Sequence, residues 1–196
     1  RYPDFPLINR RDIIGSTGDN AMDTLKLLVV DDEQGMRLAV ARTLRDFKVN
    51  LPDVEGEVNF IVEQAATGEE ALEKIESIDP HIMLLDYKLP GISGLDVLDR
   101  ISTRKSDMLT IMITAYASIE TAVTATKQGA YDFLAKPFTP EELRRLIRKA
   151  AGRLILLRQA RKLTEEKRKV RFQFISVLIH ELKAPLAAIE GYIKIM

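Results

Sequence analysis

The 196-residue sequence has no cysteine, which excludes a disulfide scaffold, a thiolate zinc site and a cysteine nucleophile. It has only two histidines, His81 and His180, too few for a histidine-rich metal site. Long apolar runs are missing as well: they reach about four residues, against the ~20 needed to span a bilayer. The first twenty residues mix Arg, Asp, Asn and Pro and make no secretory signal. There is no phosphate-cradling P-loop. The sequence lacks an initiating Met and stops in mid-pattern at Met196. It therefore reads as a fragment of a longer, soluble, cytoplasmic protein without a membrane span.

Net charge is also absent, with 29 Lys+Arg against 29 Asp+Glu, but the balance is uneven along the chain. Residues 141–183 hold 13 Lys/Arg and 5 Asp/Glu, leaving 16 against 24 elsewhere. An acidic globule is joined to a basic arm. The plain reading of the arm is a solvated helix face, and the sharper one is nucleic-acid binding.

What is present is a rhythm. Residues 1–23 are polar and read as a tail or linker. The short apolar runs Leu25–Val30, Asn59–Ala65, Ile82–Leu85, Leu109–Ile113 and Phe133–Ala135 then alternate with helical stretches. These are Glu33–Phe47, Gly68–Ser77, Ser93–Ser102 and Ser118–Gln128. Such alternation predicts βαβ units and a five-stranded parallel sheet in one α/β domain. Met83-Leu84-Leu85 and Ile111-Met112-Ile113 are apolar on both faces, as buried parallel strands require. Lys48–Val58 is a longer connection than the pattern needs.

After Thr139-Pro140 the texture changes. Thr139 suits an N-cap, Pro140 the first helical position, and Glu141-Glu142 the positive end of the dipole. Leu143, Ile147, Ala150, Leu154 and Leu157 fall at steps of four and three, as do Ile175, Leu178, Leu182, Leu186, Ile189 and Ile193. Both sets predict coiled-coil seams on one long helix, with a weaker stretch between Arg161 and Arg171.

Ligands of open α/β sheets sit at the carboxyl ends of the strands. Those ends carry Asp31, Asp32 and Asp86, with Thr114 and Lys136 after the later strands. Converging carboxylates repel one another unless a cation sits among them, and a hard oxygen set suits Mg²⁺. A carboxylate can also serve as a nucleophile and form an acyl phosphate. Each residue alone is more often a turn residue or cap; the joint pattern is specific.

Val29-Val30-Asp31-Asp32-Glu33, Leu84-Leu85-Asp86, Leu89-Pro90-Gly91-Ile92-Ser93-Gly94, Ile113-Thr114-Ala115 and Lys136-Pro137-Phe138 together resemble a response-regulator receiver domain over roughly Leu25–Gly152. The resemblance implies a doubly wound, flavodoxin-like (βα)₅ fold with Asp86 as phospho-acceptor. Asp31, Asp32, Asp86 and the backbone carbonyl of Lys88 would hold Mg²⁺. Thr114 and Lys136 would bind the phosphoryl oxygens, and Phe133 would follow Thr114 inward as a switch. Lys136-Pro137 matches a peptide usually cis in the family. Lys88 and Tyr116 flank the line of water attack there, which implies slow self-dephosphorylation.

On the arm, Phe174-Ile175-Ser176-Val177-Leu178-Ile179-His180-Glu181-Leu182-Lys183-Ala184-Pro185-Leu186 resembles the H-box of histidine kinases, over about Lys167–Met196. That resemblance implies His180 as a phospho-accepting nucleophile and Glu181 as the carboxylate that hydrogen-bonds its ring. Pro185 removes a helical hydrogen bond beside His180. Ala184 stands where many members have Thr or Asn, which implies loss of phosphatase action on a partner receiver.

The expected organisation is a tail at 1–23, a receiver at 24–152, a helical coiled-coil linker at 153–166 and a truncated phosphotransfer helix at 167–196. The expected whole is a receiver-containing sensor histidine kinase, an ATP-dependent phosphotransferase whose ATP-binding domain lies outside this sequence. The Asp86 state would regulate the His180 domain. Expected partners are an upstream histidine kinase or phosphodonor, a downstream receiver and a second copy in a parallel homodimer. Nucleic acid is not among them. The alternatives are a response regulator whose basic arm binds DNA and a non-catalytic dimerising scaffold.

Overall fold

The computed structural model describes residues 23–50, 57–102, 107–115 and 125–193, with side chains through Ser176. The chain divides into two compact units, Arg1–Gly152 and Arg153–Met196. In chain order the elements are β1 (Asp23–Val30), α1 (Gln34–Leu44), β2 (Val49–Asn50), β3 (Glu57–Ala65), α2 (Gly68–Ile78), β4 (Ile82–Asp86), α3 (Gly94–Ser102), β5 (Leu109–Thr114), β6 (Asp132–Ala135) and α4 (Pro140–Ile193).

The sheet runs in the order β2-β3-β1-β4-β5-β6. The five longer strands are mutually parallel, as the alternation predicts. The expected count of five needs one correction. Val49–Asn50 forms a sixth, antiparallel strand, pairing Val49 with Val58 at the β3 edge. The long connection is thus partly used to cover an edge that would otherwise present unpaired backbone groups.

Leu28, Val30, Met83, Leu85 and Met112 form one core layer with Ala71 and Ile75 of α2 and Val97, Leu98 and Ile101 of α3. The alternate strand residues Leu27, Val29, Ile82, Leu84, Ile111 and Ile113 are buried on the opposite face. Each such side chain contributes roughly 1.5–3 kcal/mol when fully buried. Beside α1, Phe47 stacks on Phe60 with ring centroids 5.8 Å apart. Arg144 and Arg148 of α4 sit over the same Phe47 ring, at 6.0 and 5.5 Å. Arg144 also donates to the Thr43 carbonyl at 3.4 Å.

Three helices start in the same way. Glu70 donates its N–H to the Thr67 hydroxyl at 3.2 Å, and its carboxylate accepts from the Ala66 N–H at 2.7 Å. Ser93 and Asp96 exchange reciprocal bonds at 2.9 and 3.2 Å. Thr139 and Glu142 do so at 2.8 and 3.2 Å. A hydroxyl followed three residues later by a carboxylate satisfies donors that the first turn leaves free, worth about 1 kcal/mol per cap. Thr139 and Pro140 therefore stand where the sequence places them.

The predicted seam at the start of α4 is also corrected. Leu143, Ile147 and Ala150 are fully buried within the first unit, and Leu154 is buried as well. Steps of four and three serve a helix packed on its own domain as well as one in a coiled coil. The coiled-coil reading therefore does not hold for these residues. The Ser118–Gln128 helix is described only at its end, where residues 125–127 are helical. Tyr116 and the tail lie outside the described residues, as do the side chains of His180, Glu181, Ala184 and the seam from Leu178 to Ile193. Among the described residues, no helix is long and apolar enough to cross a membrane.

Candidate functional site

Sheet register assembles the site. Val30 stands opposite Leu85, so Asp31 and Asp86 leave the sheet at one level. Asp86 pairs with Ile113, and Thr114 with Ala135, so Lys136 follows on the next strand over. The Lys136 N–H donates to the Thr114 carbonyl at 2.8 Å, which keeps the ends of β5 and β6 together. The Lys136-Pro137 bond is cis.

Asp31 is completely buried and Asp86 is 6% exposed. The Lys136 ammonium donates to Asp31 Oδ2 at 2.7 Å and to Asp86 Oδ2 at 2.8 Å. On its other oxygen Asp31 accepts the Glu33 N–H at 2.9 Å, and Asp86 accepts the Lys88 N–H at 3.4 Å. Asp32 is exposed. One carboxylate oxygen from each of Asp31, Asp32 and Asp86 lies within 4.8 Å of the other two. Thr114 is buried at the end of β5, whereas Phe133 on β6 is 45% exposed.

Burial pushes the Asp86 carboxyl above its ordinary value. The Lys136 hydrogen bond and charge pull it back, and the Asp31 charge adds to the rise. Burial works against the Lys136 ammonium, but its bonds to Asp31 and Asp86 outweigh this and hold its pKa above the ordinary lysine value. The lysine is thus a fixed cation between two carboxylates.

The donor set fits Mg²⁺. Three hard carboxylates converge, and Lys136 supplies one positive charge against them, which leaves room for a divalent ion. Asp86 is the less completely buried of the two carboxylates that Lys136 bridges, at 6% exposure against none for Asp31, and a carboxylate so placed has the chemistry of a nucleophile toward phosphorus.

Arg37 escaped the sequence reading, and Gly94 stood in a quoted motif without a role. Arg37 Nη1 donates to the Asp31 carbonyl at 2.6 Å and to the Asp32 carbonyl at 3.1 Å, holding the turn that carries both aspartates. Only its place in the first turn of α1, five residues past Asp32, hinted at this. Gly94 lets α3 approach β4: a Cβ there would lie 2.0 Å from the Asp86 carbonyl oxygen.

Residues 27–148 match the response regulator receiver domain family. The chain is 31% identical to the nitrate/nitrite response regulator protein NarL of Escherichia coli over 134 residues, covering 68% of this chain and 58% of NarL. It is 33% identical to the DNA-binding transcriptional regulator NtrC of the same species, over 62% of this chain and 24% of NtrC. The crystal structure of NtrX from Brucella abortus superposes with a TM-score of 0.60 at 34% identity, over 71% of this chain and 30% of that one. The chain thus spans little more than half of NarL and about a quarter of NtrC.

The relatives overturn one expectation. They are response regulators rather than histidine kinases, and the matched residues form a receiver domain, with no kinase domain among them. The histidine protein kinase reading of the whole protein is corrected accordingly. With the family matched over most of the sheet and all of the described site, the chain belongs to the response regulator receiver domain family.

Proposed function

We propose that the chain is a receiver whose Asp86 accepts a phosphoryl group and whose α4 carries that state to an output. The observation that carries this is the Asp86 carboxylate held 2.8 Å from the Lys136 ammonium within the three-carboxylate cluster. An Asp86 oxygen attacks the phosphorus of a donor, either the phosphohistidine of an upstream kinase or a small acyl phosphate. The bond from phosphorus to the donor breaks, and its electron pair leaves with the donor. Asp31, Asp32, Asp86 and the Lys88 carbonyl would hold Mg²⁺, which when bound neutralises charge on the phosphoryl oxygens. Lys136 donates to one of those oxygens and the Thr114 hydroxyl to another. Phe133 moves inward from its exposed position as Thr114 is drawn toward the phosphoryl group.

In this reading α4 leads into a histidine-phosphotransfer segment at 167–196, with His180 as its acceptor and Glu181 as the hydrogen-bond partner of the ring. The resemblance of that segment supports it, and no kinase activity is assigned to it. A second copy of the chain pairs along α4, a separate receiver takes phosphate downstream, and the protein works in the cytoplasm. The test is intact-mass spectrometry after incubation with acetyl phosphate and Mg²⁺. One phosphoryl group on wild type and none on Asp86→Asn is expected. An unlabelled wild type sinks the proposal.

A second reading takes α4 as a DNA-binding arm, favoured by the exposed basic residues between Arg161 and Arg171. NtrC is a DNA-binding regulator by name. Salt-sensitive retention on duplex DNA would support it.

A further inference from the structure

Residues 160–176 of α4 are exposed on every side, yet their apolar residues are not scattered. Leu156, Leu163 and Val170 follow at steps of seven and are 54%, 56% and 64% exposed. Four residues after each come Ala160, Lys167 and Phe174. A stripe at alternating steps of four and three is the packing edge of a two-stranded coiled coil. It runs through the stretch where the sequence seams break, in a register neither of them uses. Leu163, Glu166, Lys167, Val170, Arg171 and Phe174 line one shallow concavity on this edge. Exposed Phe172 is no exception. It stands nine residues past Leu163, about half a turn away at ~100° per residue, and the Arg168 guanidinium covers its ring at 5.6 Å.

The charges beside the stripe decide what covers it. Glu166 immediately precedes Lys167 on one flank, and Arg171 immediately follows Val170 on the other. In a parallel, in-register pair these are the two flanking positions that meet across the seam, so Glu166 of one copy faces Arg171 of the other, twice by symmetry. Neither residue has an ion-pair partner among the described residues. Lys167, a lone cation on the seam, disfavours wrong registers and higher oligomers.

We infer that a second copy of this chain docks in parallel along residues 156–174, with Leu156, Leu163, Val170 and Phe174 as its knobs and Glu166–Arg171 as its register lock. This deepens the homodimer reading above and rests on it.

The natural absence of cysteine makes the test direct. Single-cysteine variants Leu163→Cys, Val170→Cys and Glu165→Cys of the 196-residue chain are oxidised under mild conditions while sedimentation velocity reports the mass. Rapid linkage at 163 and 170, with Glu165→Cys linking at least tenfold more slowly, is expected. A dimer that links fastest through Glu165→Cys refutes the seam and leaves the homodimer standing. A monomer at tens of micromolar refutes both. The charge test is independent. Glu166→Arg should weaken dimerisation roughly threefold to tenfold, within the range of two exposed ion pairs, and Glu166→Arg with Arg171→Glu should restore it. Failure of the double variant to recover refutes the register lock.

Discussion

Gly94→Ala tests how closely β4 and α3 are fitted. The added Cβ would lie 2.0 Å from the Asp86 carbonyl oxygen, 3.0 Å from its carbon and 3.2 Å from Tyr87 Cα. A carbon and a carbonyl oxygen rest at roughly 3.3 Å or more, so one backbone must move by about 1.3 Å. No rotamer change relieves this, because every atom approached is main chain. Gly94 is also pinned, since its N–H donates to the Tyr87 carbonyl at 3.1 Å. Overpacking of this kind costs ~1–3 kcal/mol. A cost of about 2 kcal/mol lowers the melting temperature by roughly 4–8 °C for a chain of this size. The same shift pulls Asp86 from Lys136, now 2.8 Å apart. A misplacement near 1 Å can cost about a hundredfold in rate, so acetyl phosphate labelling should slow at least tenfold. Gly35→Ala is the control: nothing lies within 4 Å of its Cβ position, and a helical glycine replaced by alanine should be neutral or gain about 0.5–1 kcal/mol. Circular dichroism melts and timed intact-mass spectra read both effects. Wild-type melting and labelling in Gly94→Ala would refute the close approach.

Other outcomes follow from the same geometry. Mg²⁺ should raise the melting temperature of wild type, by about 2.7 kcal/mol of stability at a hundred times its dissociation constant. Asp32→Ala, at an exposed position, should melt like wild type without Mg²⁺ and lose that rise; an undiminished rise would remove Asp32 from the ion's ligands. The Ala66 N–H, then Lys74, hold the Glu70 carboxyl below its ordinary value of 4.5. A depressed carboxylate contributes stability above the unfolded pKa and loses it as pH falls through the folded one. The stability advantage of wild type over Glu70→Gln should therefore be full at pH 6 and fade on acidification below about 4.5; an advantage that grows in acid would contradict the cap. Phosphorylated wild type should keep its label for minutes or longer, and Lys88→Ala should shorten that time; a wild-type half-life of seconds would show that Lys88 and Tyr116 do not shield the acyl phosphate.

The strands were readable because Met83-Leu84-Leu85 and Ile111-Met112-Ile113 are apolar on both faces, a pattern that only a covered parallel strand needs. Asp31, Asp86 and Lys136 were readable for a related reason: each follows an apolar run, and strand ends are where such a sheet gathers its ligands. The antiparallel Val49–Asn50 was not readable. Two residues carry no period, and their pairing depends on Val58 beyond an intervening segment. Arg37 was hidden because its role depends on how α1 leaves the Asp31-Asp32 turn. Gly94 stood within a quoted motif, but its reason, the nearness of the Asp86 carbonyl, is tertiary. The first seam on α4 was misread because a stripe at steps of four and three does not say whether the surface it meets belongs to its own domain or to another helix.

The sheet order has a kinetic consequence. β1 is the first described strand to be made and lies in the interior of the sheet, paired to β3 on one side and β4 on the other. Val30 waits 35 residues for Ala65 and 55 for Leu85. The sheet therefore cannot grow outward in the order of synthesis; its middle stays open until about half of the receiver exists. Pairings this distant in sequence close slowly. A nascent chain released before β4 carries a bare strand edge along the apolar Leu27–Val30, so truncation before about residue 80 should yield aggregation rather than a smaller fold.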